Sequence, residues 1–89
     1  MNPYEKLMDS IGKIREEHQA NNTLGFVSDK IMITRKDDHF GINHCLIMKN
    51  GHTMTMTYTL NDSDKKFLPS QLYKDLETCT EVIIEQNRW

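Results

Sequence analysis

At 89 residues, with eleven basic and thirteen acidic side chains, the chain carries a net charge of −2. That length holds one domain with a single small core, and the near balance of charge speaks against both a strongly cationic nucleic-acid binder and a densely acidic DNA mimic. Two cysteines, Cys45 and Cys79, are too few for the disulfide scaffold of a small secreted domain.

The N-terminal stretch MNPYEKLMDSIGK mixes charges into its apolar positions, so it is not read as a signal peptide. No apolar run approaches the roughly 18–20 residues that cross a bilayer. The expectation is a cytoplasmic protein without a membrane partner.

The first predicted element is a helix over about 3–19. Tyr4, Leu7, Met8, Ile11, Ile14 and His18 recur at the three-and-four spacing of one helical face. Asn2 is placed to cap it, Pro3 suits the first helical position, and Glu5 stands where a capping-box carboxylate belongs. Gly12 weakens the middle by ~1 kcal/mol relative to Ala. The polar run HQANNT then ends the helix, and Gly25 opens the next element.

Three antiparallel strands are predicted at about 27–34, 39–48 and 52–60. In the third, Met54, Met56, Tyr58 and Leu60 alternate with Thr53, Thr55, Thr57 and Thr59, giving an oily side and a hydroxyl side. A two-residue Asn50-Gly51 turn would oppose Leu46 to Thr55 and mix the two sides. A three-residue loop, Lys49-Asn50-Gly51, with Gly51 in the left-handed position, instead pairs Leu46 with Met54, His44 with Met56, Ile42 with Tyr58 and Phe40 with Leu60. A slip of one residue exchanges core and solvent faces, so the hydrophobic pattern selects the three-residue loop. A four-residue RKDD turn pairs Thr34 with His39 and Ile31 with Ile42.

The segment NDSDKK leaves the sheet, and Pro69 opens a second helix over about 69–84, with Leu72, Leu76, Cys79 and Ile83 on one face beside Tyr73 and Val82. Residues 85–89 form a tail ending in Trp89. The expected architecture is a single α+β domain over 1–89. It has two layers in the order α-β-β-β-α, a three-stranded meander with both helices on its apolar face.

The opposite face carries Lys30, Met32, Thr34, Gly41, Asn43, Cys45, Ile47, Thr53, Thr55, Thr57 and Thr59. Met32, Cys45 and Ile47 among hydroxyls offer a seed for a dimer or partner contact. Candidate partner-binding residues are therefore Met32, Asn43, Cys45, Ile47, Thr53, Thr55, Thr57 and Thr59.

Catalytic and metal signatures are missing from the sequence. His39, His44, Cys45 and His52 fall within fourteen residues, but His44 and Cys45 point to opposite sides of a strand, and no Cys-x-x-Cys or His-Glu-x-x-His spacing occurs. His44 reads as a hydrogen-bonded histidine at the core margin, and Cys79 as a small core residue. The four glycines are scattered, so no loop cradles phosphate. Glu16-Glu17 and Asp37-Asp38 sit on polar stretches. Neither enzyme activity nor a cofactor or metal is expected.

The expectation is a small non-enzymatic protein acting stoichiometrically on a larger macromolecule. Motif-free domains of this size are common among phage and mobile-element proteins that inhibit host enzymes or defence systems. A structural or regulatory homodimer is an alternative.

A further alternative follows from the element order, which resembles the double-stranded RNA-binding domain. The resemblance implies reading of duplex shape. It implies His39 at the minor groove, with Lys65 and Lys66 on phosphates, joined by Arg35 and Lys36 of the hairpin loop. Departures from that family are the acids Asp37 and Asp38 in the loop, Asp62 and Asp64 beside the lysine pair, and FLPSQLY where the family has an alanine-rich helix.

Overall fold

Asn2 and Glu5 close a reciprocal cap at the start of the chain. The Glu5 amide donates to Asn2 Oδ1 at 2.9 Å, and Asn2 Nδ2 donates to Glu5 Oε1 at 2.9 Å. Helix α1, Pro3–Ala20, runs from that cap. The computed structural model describes the backbone of residues 1–20 and 26–88 and the side chains of 1–17 and 27–88. The side chain of His18, the run 21–25 with Gly25, and Trp89 lie outside the described residues.

Strands β1 (Phe26–Arg35), β2 (His39–Met48) and β3 (Thr53–Asn61) follow as an antiparallel meander. The β2–β3 register is the one the hydrophobic pattern selects: Leu46 opposes Met54, His44 Met56, Ile42 Tyr58 and Phe40 Leu60. Gly51 turns the loop at φ +87°, the Met48 amide donates to His52 O at 2.8 Å, and the Gly51 amide donates to Met48 O at 3.0 Å.

Between β1 and β2 the register differs from the expected one by two residues. Arg35 opposes Phe40, Ile33 opposes Ile42 and Ile31 opposes His44. The Lys36 amide donates to His39 O at 2.9 Å, so the turn tightens to Asp37-Asp38. A shift of two preserves side-chain parity, and the face assignments survive it.

A 3-10 segment, Asp62–Phe67, leads into helix α2, Ser70–Thr78. Here the structure corrects the expectation of a helix to residue 84 and a free tail. Helix α2 ends with the Cys79 amide donating to Asp75 O at 2.8 Å, and Cys79 is already extended. A fourth strand, β4 (Glu81–Arg88), then pairs with β1, giving the sheet order β3-β2-β1-β4.

Two causes are visible. Val82, Ile83 and Ile84 are consecutive β-branched residues, which fit a pleated surface better than a helix. β1 also gains the second neighbour its backbone needs, beginning where the Arg35 amide donates to Thr80 O at 2.8 Å. Cys79 is correspondingly exposed, and is no core residue.

Both helices pack on one side of the sheet, making an α+β fold of two layers. Leu7 and Ile11 of α1 and Leu72 and Leu76 of α2 cover Ile31, Ile33, Phe40, Ile42 and Leu60. Each of these buried apolar side chains contributes about 1.5–3 kcal/mol relative to exposure. Ile14 of α1 packs on a smaller cluster, Leu46 and Met48.

Candidate functional site

The side of the sheet away from the helices holds the predicted partner-binding residues together. Across the strands, Met32 opposes Asn43, Asn43 opposes Thr57, Cys45 opposes Thr55 and Ile47 opposes Thr53, with Thr59 opposite Gly41. Thr57 Oγ1 donates to Asn43 Oδ1 at 3.2 Å. β4 adds a member outside the predicted set, because its residues are expected from the sequence in a helix. Ile83 opposes Met32 and is 51% exposed. A diagonal of apolar side chains thus runs Ile83, Met32, Cys45, Ile47, the last 38% exposed. Thr34, Glu81, Lys30, Gln86 and the threonines of β3 border it. No helix among the described residues covers this face.

The candidate RNA-contacting residues are engaged locally. Arg35 Nη1 donates to Leu76 O at 2.8 Å, where it caps the C-terminal turn of α2. His39 Nδ1 lies 2.6 Å from Asp38 Oδ1, and that contact holds the Asp38 carboxyl below its ordinary value. Lys65 Nζ lies 3.9 Å from Asp62, and Lys66 sits 5.2 Å from the centre of the Phe67 ring. Lys36 lies along Gly41. Arg35 and Lys65 do meet, in a 150 Å³ pocket, but they share it with Asp62 and Glu77.

The most polar assembly in the interior was invisible as a set in the sequence. Asp29 (1% exposed) and His44 (0% exposed) are both buried, and Asp29 Oδ2 lies 2.7 Å from His44 Nε2. A carboxylate only accepts, so the ring presents Nε2–H to it. Arg15 Nε donates to the same oxygen at 2.5 Å. Arg15 Nη1 also donates to Glu85 Oε1 at 3.3 Å, and Asn87 Nδ2 to that same oxygen at 2.8 Å. A bulge in β4 makes this possible. Ile31 opposes Glu85 while Met32 opposes Ile83, so the extra residue flips parity and turns Glu85 towards the helices.

An aspartate–histidine pair invites a catalytic reading, which the geometry does not support. The ring is fully enclosed, and among the described residues its Nδ1 meets no hydrogen-bonding partner and so engages no nucleophile. The cluster neutralises charge inside the core. Only its members taken singly carry a signal: Asp29 shares the inward parity of Ile31 and Ile33, and Arg15 stands four residues after Ile11 on the buried face of α1.

Among the described residues, no group of three or more His, Cys, Asp or Glu side chains is arranged to hold a metal ion. No helix among them is long and apolar enough to cross a membrane. What the fold defines is a small α+β domain whose four-stranded sheet is covered on one side. Comparison with protein-family models, with curated proteins and with solved structures gives no match.

Proposed function

We propose that the chain is a non-catalytic binding protein that acts stoichiometrically by occupying a surface of a larger protein. The observation that carries this reading is the apolar diagonal Ile83–Met32–Cys45–Ile47 on the open sheet face. Single exposed apolar residues are ordinary, whereas a contiguous set rimmed by polar groups is the usual form of a contact surface. The proposed action is inhibition of the phage or mobile-element type, in which a host enzyme or defence complex is blocked by coverage. The proposed location is the cytoplasm. Duplex RNA draws less support, because three of its five candidate residues, His39, Lys65 and Arg35, are engaged by Asp38, Asp62 and the Leu76 carbonyl.

The test is parallel affinity capture with the wild-type chain, a Met32→Lys/Ile83→Lys variant, and a Glu17→Lys control on the exposed side of α1. A stoichiometric partner held by wild type and control, and lost from the double variant at unchanged circular dichroism, supports the reading. A partner that stays with the double variant, or the recovery of none, overturns it.

A further inference from the structure

The two edges of the sheet differ in kind. β4 carries Glu81, Glu85 and Arg88 and is bulged, which are the devices that keep an edge from pairing with other chains. β3, Thr-Met-Thr-Met-Thr-Tyr-Thr-Leu-Asn, has nine residues with no charge, no proline and an unbroken register against β2. An edge of that length and neutrality is a ready template for another strand.

We infer that β3 pairs antiparallel with β3 of a second copy of this chain, extending the sheet across a two-fold axis. Hydrogen-bond parity fixes which residues take part. The Met48–His52 bond places the bonded β2–β3 pairs on even residues of β3. The N–H and C=O groups of Thr53, Thr55, Thr57 and Thr59 therefore point outward. With the two-fold at Met56, Thr55 of one copy opposes Thr57 of the other and Thr53 opposes Thr59, for about eight interchain hydrogen bonds.

The same register sets Met54 opposite Tyr58 of the second copy on the helix side, where thioether and ring attract. Met54 is 38% exposed, and Met56 and Tyr58 are half-buried, so this apolar row lacks full cover in one copy. Beside Tyr58 and Leu60, under Leu7 and Ser10 of α1, lies a cleft of ≈530 Å³. The start of the second copy's β3 would enter there.

Self-complementarity is what favours a second copy over a foreign strand, because the one strand supplies both Met54 and the Tyr58 it would meet, and no charge opposes the pairing. In a two-fold antiparallel pair a charge on the axis would face its own copy, and one beside the axis would face another residue of the same strand. β3 has none to repel itself, and none with which to choose a charged partner. In the dimer the two open faces lie on the same side of one eight-stranded sheet.

The test is sedimentation equilibrium of the wild-type chain and two variants, checked by circular dichroism. Wild type is expected to be dimeric. Thr55→Lys/Thr57→Lys, with two like-charge cross-strand pairs, should raise the dimer dissociation constant about tenfold or more. Thr55→Lys/Thr57→Glu places opposite charges across the same pairs and should return it to within about threefold of wild type. A Gln86→Lys control on β4 should leave it unchanged.

Amide hydrogen exchange supplies an independent reading. Thr55 and Thr57 should be protected at high protein concentration and exchange freely on dilution, and this holds even if the double-lysine variant fails to fold. A monomer at all concentrations, leaving the edge free for a strand of another protein, overturns self-pairing. So does a dimer indifferent to the double lysine, a charge-swapped variant no tighter than it, or free exchange of those two amides in the dimer.

Discussion

Replacing Asp29 with alanine removes the one oxygen on which Arg15 and His44 converge, at 2.5 and 2.7 Å. The two donors are then stranded unequally. His44 is wholly enclosed and loses the hydrogen bond its ring makes, since among the described residues Nδ1 has no hydrogen-bonding partner. Arg15 keeps Glu85, whose side chain is 41% exposed, and so retains a partly solvated counter-charge. Breaking a buried charge pair from one side costs about 3–5 kcal/mol. The surviving Glu85 contact puts this case near the lower end, at about 3 kcal/mol.

A domain of this length holds about 4–13 kcal/mol in total, so the loss is a large fraction of it. It corresponds to a fall in Tm of at least about 12 °C. Urea denaturation followed by circular dichroism should show a lower midpoint with an unchanged m value.

The same physics makes the opposite prediction for a compensated variant. Arg15→Met, Asp29→Val and His44→Leu together remove the charges along with their desolvation, and replacing buried ion pairs by apolar groups is often neutral or stabilising. Stability should return to within about 1 kcal/mol of wild type. An Asp29→Ala variant that loses less than about 1 kcal/mol, or a triple variant no more stable than the single, refutes the assignment of this cluster as a mutually dependent charge network.

Ile42, fully buried between β1 and β3, should not tolerate Ile42→Asp, and loss of the cooperative denaturation transition is the readout. Gly51→Ala has open space for its methyl group, yet φ +87° should cost about 1–2 kcal/mol, seen as a lower urea midpoint. Ile83→Lys on the open face should change stability by no more than about 0.5 kcal/mol in the same assay. Burial, and after it the Glu85 carboxylate, raises the Tyr4 phenol above its ordinary value, while burial alone raises that of Tyr58. A raised folded value leaves its contribution intact below about pH 10 and lost as pH climbs through that value. Stability should therefore fall above about pH 10, and less steeply in Tyr4→Phe.

What the sequence disclosed is what depends on neighbours in the chain. The cap at Asn2 and Glu5, the Gly51 loop and the β2–β3 register all follow from local spacing, and each is present. The β1–β2 turn differs from the expected one by two residues because either turn length keeps Ile31, Ile33 and Ile42 inward; parity alone does not choose between them. β4 is hidden in the sequence for a different reason. Leu72, Leu76, Cys79 and Ile83 happen to continue a helical spacing, and the contact that overrides it, pairing with β1, comes from some fifty residues earlier in the chain. The Asp29 cluster shares that character, since its members stand on α1, β1, β2 and β4 and meet only in the folded sheet.

The fourth strand also decides which surfaces are left to act. In a three-stranded sheet β1 would be an edge, and Met32 would sit at the margin of the open face. With β4 in place, Met32 lies inside that face beside Ile83, and β1 offers no free backbone along its paired length. The exposed edges become β4 and β3, and only β3 lacks charge along its length. The bulge that breaks the regularity of β4 turns Glu85 inward to Arg15, so one irregularity both completes the buried charge cluster and spoils that edge for pairing. Interior electrostatics and surface availability are thus coupled through a single extra residue: the chain guards one edge as a by-product of neutralising its core, and leaves the other free to pair.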